Sequence, residues 1–116
     1  MGYTHYYQVI QWDSPAWQAA WPLLVRDTRR IIDSAGIPVT GEDGPIISST
    51  EDSICFNGVD GDGHEPFCMD EENNRSFAFT KTARKPYDLV VCCVLLRAHM
   101  LAPKCLDIRS DGYWSE

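Results

Sequence analysis

An apolar run near the C-terminus is the feature that most constrains the fold. From Pro86 the chain reads PYDLVVCCVLLRAHML, and apolar side chains lie almost all round the predicted helix as far as Leu96. Pro86 suits the first turn of a helix, where its missing N–H is not needed. Because a helix of this kind is usually surrounded by other elements, the sequence predicts a central helix over 86–101.

A second helix is predicted between Asp13 and Gly36. Asp13 or Ser14 supplies an N-cap, Pro15 fits the first turn, and Gly36 suits the C-terminal stop. Apolar residues recur between them at helical spacing and form one broad stripe. Pro22 lies inside this pattern and is expected to kink the helix or to restart it.

The remaining segments are rich in residues typical of strands. Residues 3–12 read YTHYYQVIQW, and alternation places His5, Tyr7 and Val9 on one face. Further strands are predicted over 45–49, 53–58, 66–69, 76–81 and 104–109. The order β-α-β-β-β-β-α-β predicts an α+β fold, with two helices on one face of a mainly antiparallel sheet. A length of 116 residues fits a single domain over 1–116.

The cysteine pattern favours free thiols. The five cysteines contain no C-x-x-C pair, and two of them are adjacent in an apolar run, where a shared disulfide would be strained. We therefore expect small buried hydrophobes in a reducing cytosol, with no metal and no cofactor. The five are Cys55, Cys68, Cys92, Cys93 and Cys105.

Charge is distributed unevenly along a chain whose net charge is −7. Ten acidic residues fall between Glu42 and Glu72, and no Lys or Arg lies between Ile31 and Asn74. This block is either a solvated face or a negative surface for a basic partner, and the net charge argues against direct DNA binding. The predicted partner-binding residues are Asp60, Asp62, Glu65, Asp70, Glu71 and Glu72.

The segment FTKTARKPYDLVV, residues 79–91, predicts an anion site. A helix N-terminus attracts anions, and the residues before it add three cations and a hydroxyl group. The alternative is a basic turn paired with the protein's own carboxylates, through Asp88, Glu65 or the acidic loops. The predicted ligand-binding residues are Lys81, Thr82, Arg84, Lys85, His5, Tyr7 and His64.

The sequence assigns no catalytic residue. GVDGDGHEPF resembles a calcium loop, but counting from Asp60 places Glu65 where an EF-hand needs glycine. No nucleophile elbow, phosphate-binding loop, zinc-protease helix or dinucleotide fingerprint is present. An enzyme is therefore less favoured than a binding protein.

Three strings carry a resemblance. MGYTHYY, FNGVDGDGHEPF and KTARKPYDLVV, with SDG near the end, resemble a family of small uncharacterised proteins carried by bacteriophages and prophages. The chain departs from that pattern at Thr80, where a cysteine is expected. The resemblance implies a phage-type origin and no specific activity.

The leading hypothesis is a protein that binds and inhibits a host bacterial factor, such as an anti-CRISPR or another counter-defence protein. It would act in the host cytosol on a protein partner, such as one that binds nucleic acid, and not at a membrane. The alternative is a nucleotide- or phosphate-binding protein or small enzyme that uses the basic segment with His5 and His64. A third hypothesis is an oligomeric or phage structural module that uses Tyr113 and Trp114.

Overall fold

The computed structural model describes residues 4–41, 48–49, 53–70, 78–82 and 85–110. Within these ranges the chain has the predicted α+β fold and the predicted order of strands and helices. The strands are β1 (Thr4–Val9), β2 (Val39–Thr40), β3 (Ser48–Ser49), β4 (Ser53–Gly58), β5 (Phe67–Asp70), β6 (Ala78–Lys81) and β7 (Leu106–Ser110). The helices are α1 (Pro15–Ala35) and α2 (Asp88–Leu101), and a single 3₁₀ turn spans Asp60–Asp62.

The strands form two antiparallel sheets, and the short strand β2 was not anticipated. One sheet has the order β6-β1-β7, so β1 is its central strand. In the other sheet, β2, β3 and β5 all pair with β4. In β1 the predicted alternation holds from His5 to Val9, because His5, Tyr7 and Val9 are buried while Tyr6 and Gln8 are half-buried. Thr4, on the face of Tyr6, is also buried.

The ends of α1 follow from its sequence. Ser14 is the N-cap, and its hydroxyl accepts a hydrogen bond from the N–H of Trp17 at 3.2 Å. Gly36 ends the helix at φ 67°, a left-handed conformation that glycine adopts at little cost. The helix runs through Pro22 without a restart.

The second helix is central, but its surface is not buried all round. Val90, Val91, Val94, Leu95 and Ala98 are buried in the core. Three apolar side chains, spaced seven and four residues apart along the helix, are each more than half exposed: Leu89, Leu96 and Met100. Neither helix in the described ranges has the length and hydropathy needed to cross a membrane.

An ion pair joins the two helices. Nε of Arg97, on α2, donates to Oδ2 of Asp27, on α1, at 2.8 Å. Asp27 is buried, yet the hydrogen bond from Arg97 lowers the pKa of its carboxyl group. A buried carboxylate that lost this partner would be costly, so the contact fixes how the helices pack.

Cys55 and Cys68 form a disulfide, which corrects the expectation that all five cysteines are free. They lie directly opposite each other on β4 and β5, with Cα atoms 4.2 Å apart. Their separation of 13 residues gave no local signal, because only the strand register brings them together. Cys92, Cys93 and Cys105 are free thiols, as expected.

Removing this disulfide should destabilise the fold without abolishing it. For the double variant Cys55→Ala/Cys68→Ala we expect the free energy of unfolding to fall by about 3 kcal/mol, the value for a closed loop of roughly 15 residues. Urea titration at neutral pH measures the change. Cys93→Ala, at a free half-buried cysteine, is the control and should change stability less. Equal stability of the double variant and the native chain would contradict the prediction.

Candidate functional site

At the junction between β6 and α2, backbone N–H groups donate to backbone carbonyls of the same segment. The N–H of Lys85 donates to the carbonyl of Thr82 at 3.0 Å, and the N–H of Asp88 donates to the carbonyl of Lys85 at 2.9 Å. The next N–H, that of Leu89, donates to the carbonyl of Pro86 at 3.3 Å. Since the N–H groups of Asp88 and Leu89, the first two of α2, are already bonded, the helix N-terminus has fewer N–H groups to offer an external anion.

The Asp88 carboxylate is the centre of a polar cluster. Its Oδ1 lies 2.6 Å from Nε2 of His5 and accepts a hydrogen bond from the hydroxyl of Thr82, also at 2.6 Å. One helical turn further along, Sγ of Cys92 lies 3.6 Å from Oδ2 of Asp88 and 3.6 Å from Nε2 of His5. The cluster therefore joins β1, the junction and α2.

The electrostatics of this cluster favour a carboxylate and oppose a thiolate. Burial alone would raise the pKa of Asp88, but the hydrogen bonds from His5 and Thr82 outweigh burial and lower it. Burial and the adjacent Asp88 charge raise the pKa of Cys92 to about 12. A thiol that stays protonated is a poor nucleophile, so the cluster is not arranged for thiol catalysis.

The loop between β4 and β5 packs against the same junction through Glu65. The carboxylate of Glu65 accepts from the N–H of Lys81 at 2.8 Å, and the N–H of Glu65 donates to the carbonyl of Lys81 at 3.1 Å. The hydroxyl of Tyr87, which is fully buried, donates to the carbonyl of Glu65 at 2.5 Å. Nδ1 of His64 lies 2.7 Å from the carbonyl of Lys81. The loop is thus fastened at its C-terminal end.

Asn57 closes the other end of this loop. Its Oδ1 accepts from the N–H groups of Gly58 and His64 at 2.8 and 3.1 Å, and its Nδ2 donates to the carbonyl of His64 at 3.0 Å. A Cβ atom on Gly58 would collide with the carbonyl of Asp62, which explains the glycine there. The Gly-rich segment is therefore a closed turn held by one side chain.

The predicted ligand residues within the described ranges do not converge on one pocket. Thr80 lies opposite His5 in the β1–β6 register, and both are buried, whereas the next residue, Lys81, is exposed. Side chains alternate along a strand, so Lys81 points away from His5. The hydroxyl of Tyr7 is also used internally, 2.8 Å from Oγ1 of Thr80 and 3.1 Å from the carbonyl of Cys68, to which it donates.

The other predicted ligand residues have separate surroundings. Thr82 is buried and turned towards Asp88, whereas His64 is exposed. Lys85 is half-buried, and neither Lys81 nor Lys85 forms an ion pair within the described ranges. Arg84 lies outside the described residues.

The predicted partner-binding residues lie on the β4–β5 hairpin and the segment after it. Asp62 is exposed at the tip of the hairpin, and Asp70 is half-buried at the end of β5. Glu65 is half-buried, with its carboxylate bonded to the backbone as described above. The remaining predicted residues lie outside the described ranges or are described only by their backbone: Asp60, Glu71 and Glu72.

Sequence reasoning missed the link between His5 and Cys92. From the sequence, Asp88 is predicted only as a partner of the basic turn, and Cys92 only as a small buried hydrophobe. The available signal was the spacing of four residues between Asp88 and Cys92, which puts both on one face of α2. Nothing local indicated that His5, 83 residues before Asp88, would complete the cluster.

Asp88 should contribute stability that depends on pH. Because its pKa is below the ordinary value of 3.8 when folded, its contribution is complete above that value and is lost as pH falls through the folded pKa. With chelator present, Asp88→Asn should lower the free energy of unfolding by about 2 kcal/mol at pH 7. Urea titrations from pH 7 downward should show the gap to the native chain narrowing below about pH 4.

Asp33→Asn is the matched control, since Asp33 is exposed on α1. It should change stability little across the same pH range. A gap between Asp88→Asn and the native chain that stayed constant into acid would contradict the assigned role of the carboxylate.

Comparison with known proteins gives no identity from which to infer function. No protein-family model, curated protein sequence or solved structure matches the chain. The function must therefore be argued from the junction, the polar cluster and the hairpin.

Proposed function

We propose that the protein binds a basic bacterial protein through the acidic hairpin, defined as β4, the 3₁₀ turn, β5 and residues 71–72, and thereby inhibits that partner. The observation that carries the proposal is the concentration of acidic residues between Glu42 and Glu72, in a stretch without Lys or Arg. The exposed tip of the hairpin carries Asp62 from this stretch. A surface of one sign of charge steers and orients an oppositely charged partner.

The rigidity of the tip supports the proposal. Asn57 closes the loop at one end, and Lys81 and Tyr87 hold Glu65 at the other. A surface that is already ordered loses little conformational entropy when it binds. The turn that carries Asp62 is therefore presented in a fixed arrangement.

The hydrogen bonds at the junction also favour binding of a basic protein over binding of an external anion. Thr82 donates to Asp88, and the N–H of Lys81 donates to Glu65, so the carboxylates bonded there are the protein's own. The nucleotide or phosphate alternative depends on Lys81, Arg84 and Lys85 acting without His5 and Tyr7, which are turned into the core. The nucleotide or phosphate site would therefore have fewer side chains around its ligand than the alternative requires.

The class of partner follows from charge and from the phage resemblance. A protein that binds nucleic acid carries a basic groove, and an acidic surface is complementary to such a groove. Host-defence nucleases bind nucleic acid in this way, which makes a counter-defence inhibitor, such as an anti-CRISPR protein, the specific form of the proposal. Its place of action would be the bacterial cytosol.

The test is a pull-down from bacterial lysate with the full chain immobilised, at about 50 mM and about 500 mM NaCl. We expect a partner that is captured at low salt and released at high salt. The variant Asp60→Lys/Asp62→Lys should weaken capture by at least about tenfold. The captured partner should also retain less labelled DNA when the native chain is added.

The control variant Asp13→Lys/Asp33→Lys makes the same change in net charge at exposed acids outside the hairpin. It should leave capture nearly unchanged. If capture were equal at both salt concentrations, or if it fell equally in both variants, the hairpin would not be the binding surface. Stabilisation by inorganic phosphate or nucleotides in a thermal-shift screen would favour the ligand alternative instead.

A further inference from the structure

Three different metal-binding side chains meet at the start of α2. His5 offers an imidazole nitrogen, Asp88 a carboxylate oxygen and Cys92 a sulfur, and these ligand atoms all lie within 4.8 Å of one another. His5 is fully buried, while the Asp88 side chain is 21 % exposed and Cys92 is half-buried. One side of the cluster is therefore open to solvent, which gives an ion a way in.

The sulfur distances match those of a tetrahedral zinc site. With a Zn–S bond of about 2.3 Å and a Zn–N bond of about 2.0 Å, a tetrahedral angle separates the two ligand atoms by about 3.5 Å. The distances from Sγ of Cys92 to Nε2 of His5 and to Oδ2 of Asp88 are both 3.6 Å. Oδ2 is therefore the Asp88 oxygen that is placed to bind the ion. The hydrogen bond between Nε2 of His5 and Oδ1 of Asp88, at 2.6 Å, must open so that Nε2 can bind the ion instead, about 3.3 Å from the ligand oxygen.

We propose that His5, Asp88 and Cys92 bind one Zn²⁺ ion. Nε2 of neutral His5, one carboxylate oxygen of Asp88 and the thiolate of Cys92 would be the protein ligands. The thiol of Cys92, which is protonated without metal, loses its proton to solvent on binding because a cation deprotonates a coordinating thiol. The proton that Nε2 of His5 donates to Asp88 also leaves that nitrogen, and the neutral imidazole carries its one proton on Nδ1. Three protein ligands leave the fourth tetrahedral position to a water molecule, as in zinc sites that keep an open position.

The donor set selects the class of metal. Nitrogen and sulfur donors suit Zn²⁺ and its analogue Co²⁺, whereas Mg²⁺ and Ca²⁺ prefer oxygen ligands. Thr82 already donates to the Asp88 carboxylate at 2.6 Å, and such an outer hydrogen bond orients a metal-binding carboxylate. Asp88 and Cys92 are one turn apart on α2, so both ligands lie on one face of the helix.

No motif in the sequence predicts this metal. In a sequence, a zinc site is recognised by pairs of closely spaced ligand residues. Here one ligand lies on β1, and the other two lie on a helix far along the chain. The proposal is independent of the acidic hairpin, since none of the three ligands belongs to it.

The test is titration of chelator-treated native chain with Co²⁺, followed by displacement with Zn²⁺. We expect a thiolate-to-cobalt charge-transfer absorption band that saturates at one ion per chain and is lost when Zn²⁺ is added. Saturating Zn²⁺ should also raise Tm by about 5 °C or more. Cys92→Ser should abolish the band and weaken Zn²⁺ binding by at least about tenfold.

Cys93→Ser is the matched control, because Cys93 is also a free and half-buried cysteine but lies outside the cluster. It should keep the band and the rise in Tm. Circular dichroism in chelator should show that both variants are folded. Absence of the band in the native chain, its survival in Cys92→Ser, or its equal loss in Cys93→Ser would each overturn the proposal.

Discussion

The carboxylate of Asp88 is the group on which the arrangement of the described chain most depends. It holds β1 through His5 and the junction through Thr82, and it begins the most buried helix. A partly buried carboxylate is stable only with hydrogen-bond partners, so these segments must meet in one arrangement. Among the described residues just before α2, Thr82 therefore donates to a negative charge of the protein itself.

The acidic hairpin is positioned by the same junction. Glu65 accepts from the N–H of Lys81, and Tyr87, the residue before Asp88, donates to the carbonyl of Glu65. Two carboxylates of the chain are thus bound on either side of a short basic segment. The hydrogen bonds to Glu65 and Asp88 fasten a loop and a helix to a sheet, and the tip of the hairpin, with Asp62, is exposed.

The sequence predicted the features that local physics determines. Ser14, Pro15 and Gly36 marked the ends of α1, and alternation identified the buried face of β1. The cross-strand disulfide and the polar cluster could not be found in this way. They require the registers of β4 with β5 and of β1 with β6, which depend on packing between segments far apart in the chain. The division of the strands into two sheets could not be predicted from the sequence for the same reason.

The metal and partner proposals share a scaffold but use different residues. A bound ion would replace the hydrogen bond between His5 and Asp88 by coordination to the same two side chains, so β1 and α2 would stay joined. The bonds that fasten Glu65 to Lys81 and Tyr87 involve none of the metal ligands. Loading the cluster should therefore change stability more than it changes the position of the acidic hairpin. The charges of the acidic hairpin, rather than the bound ion, would then decide which partner the hairpin binds.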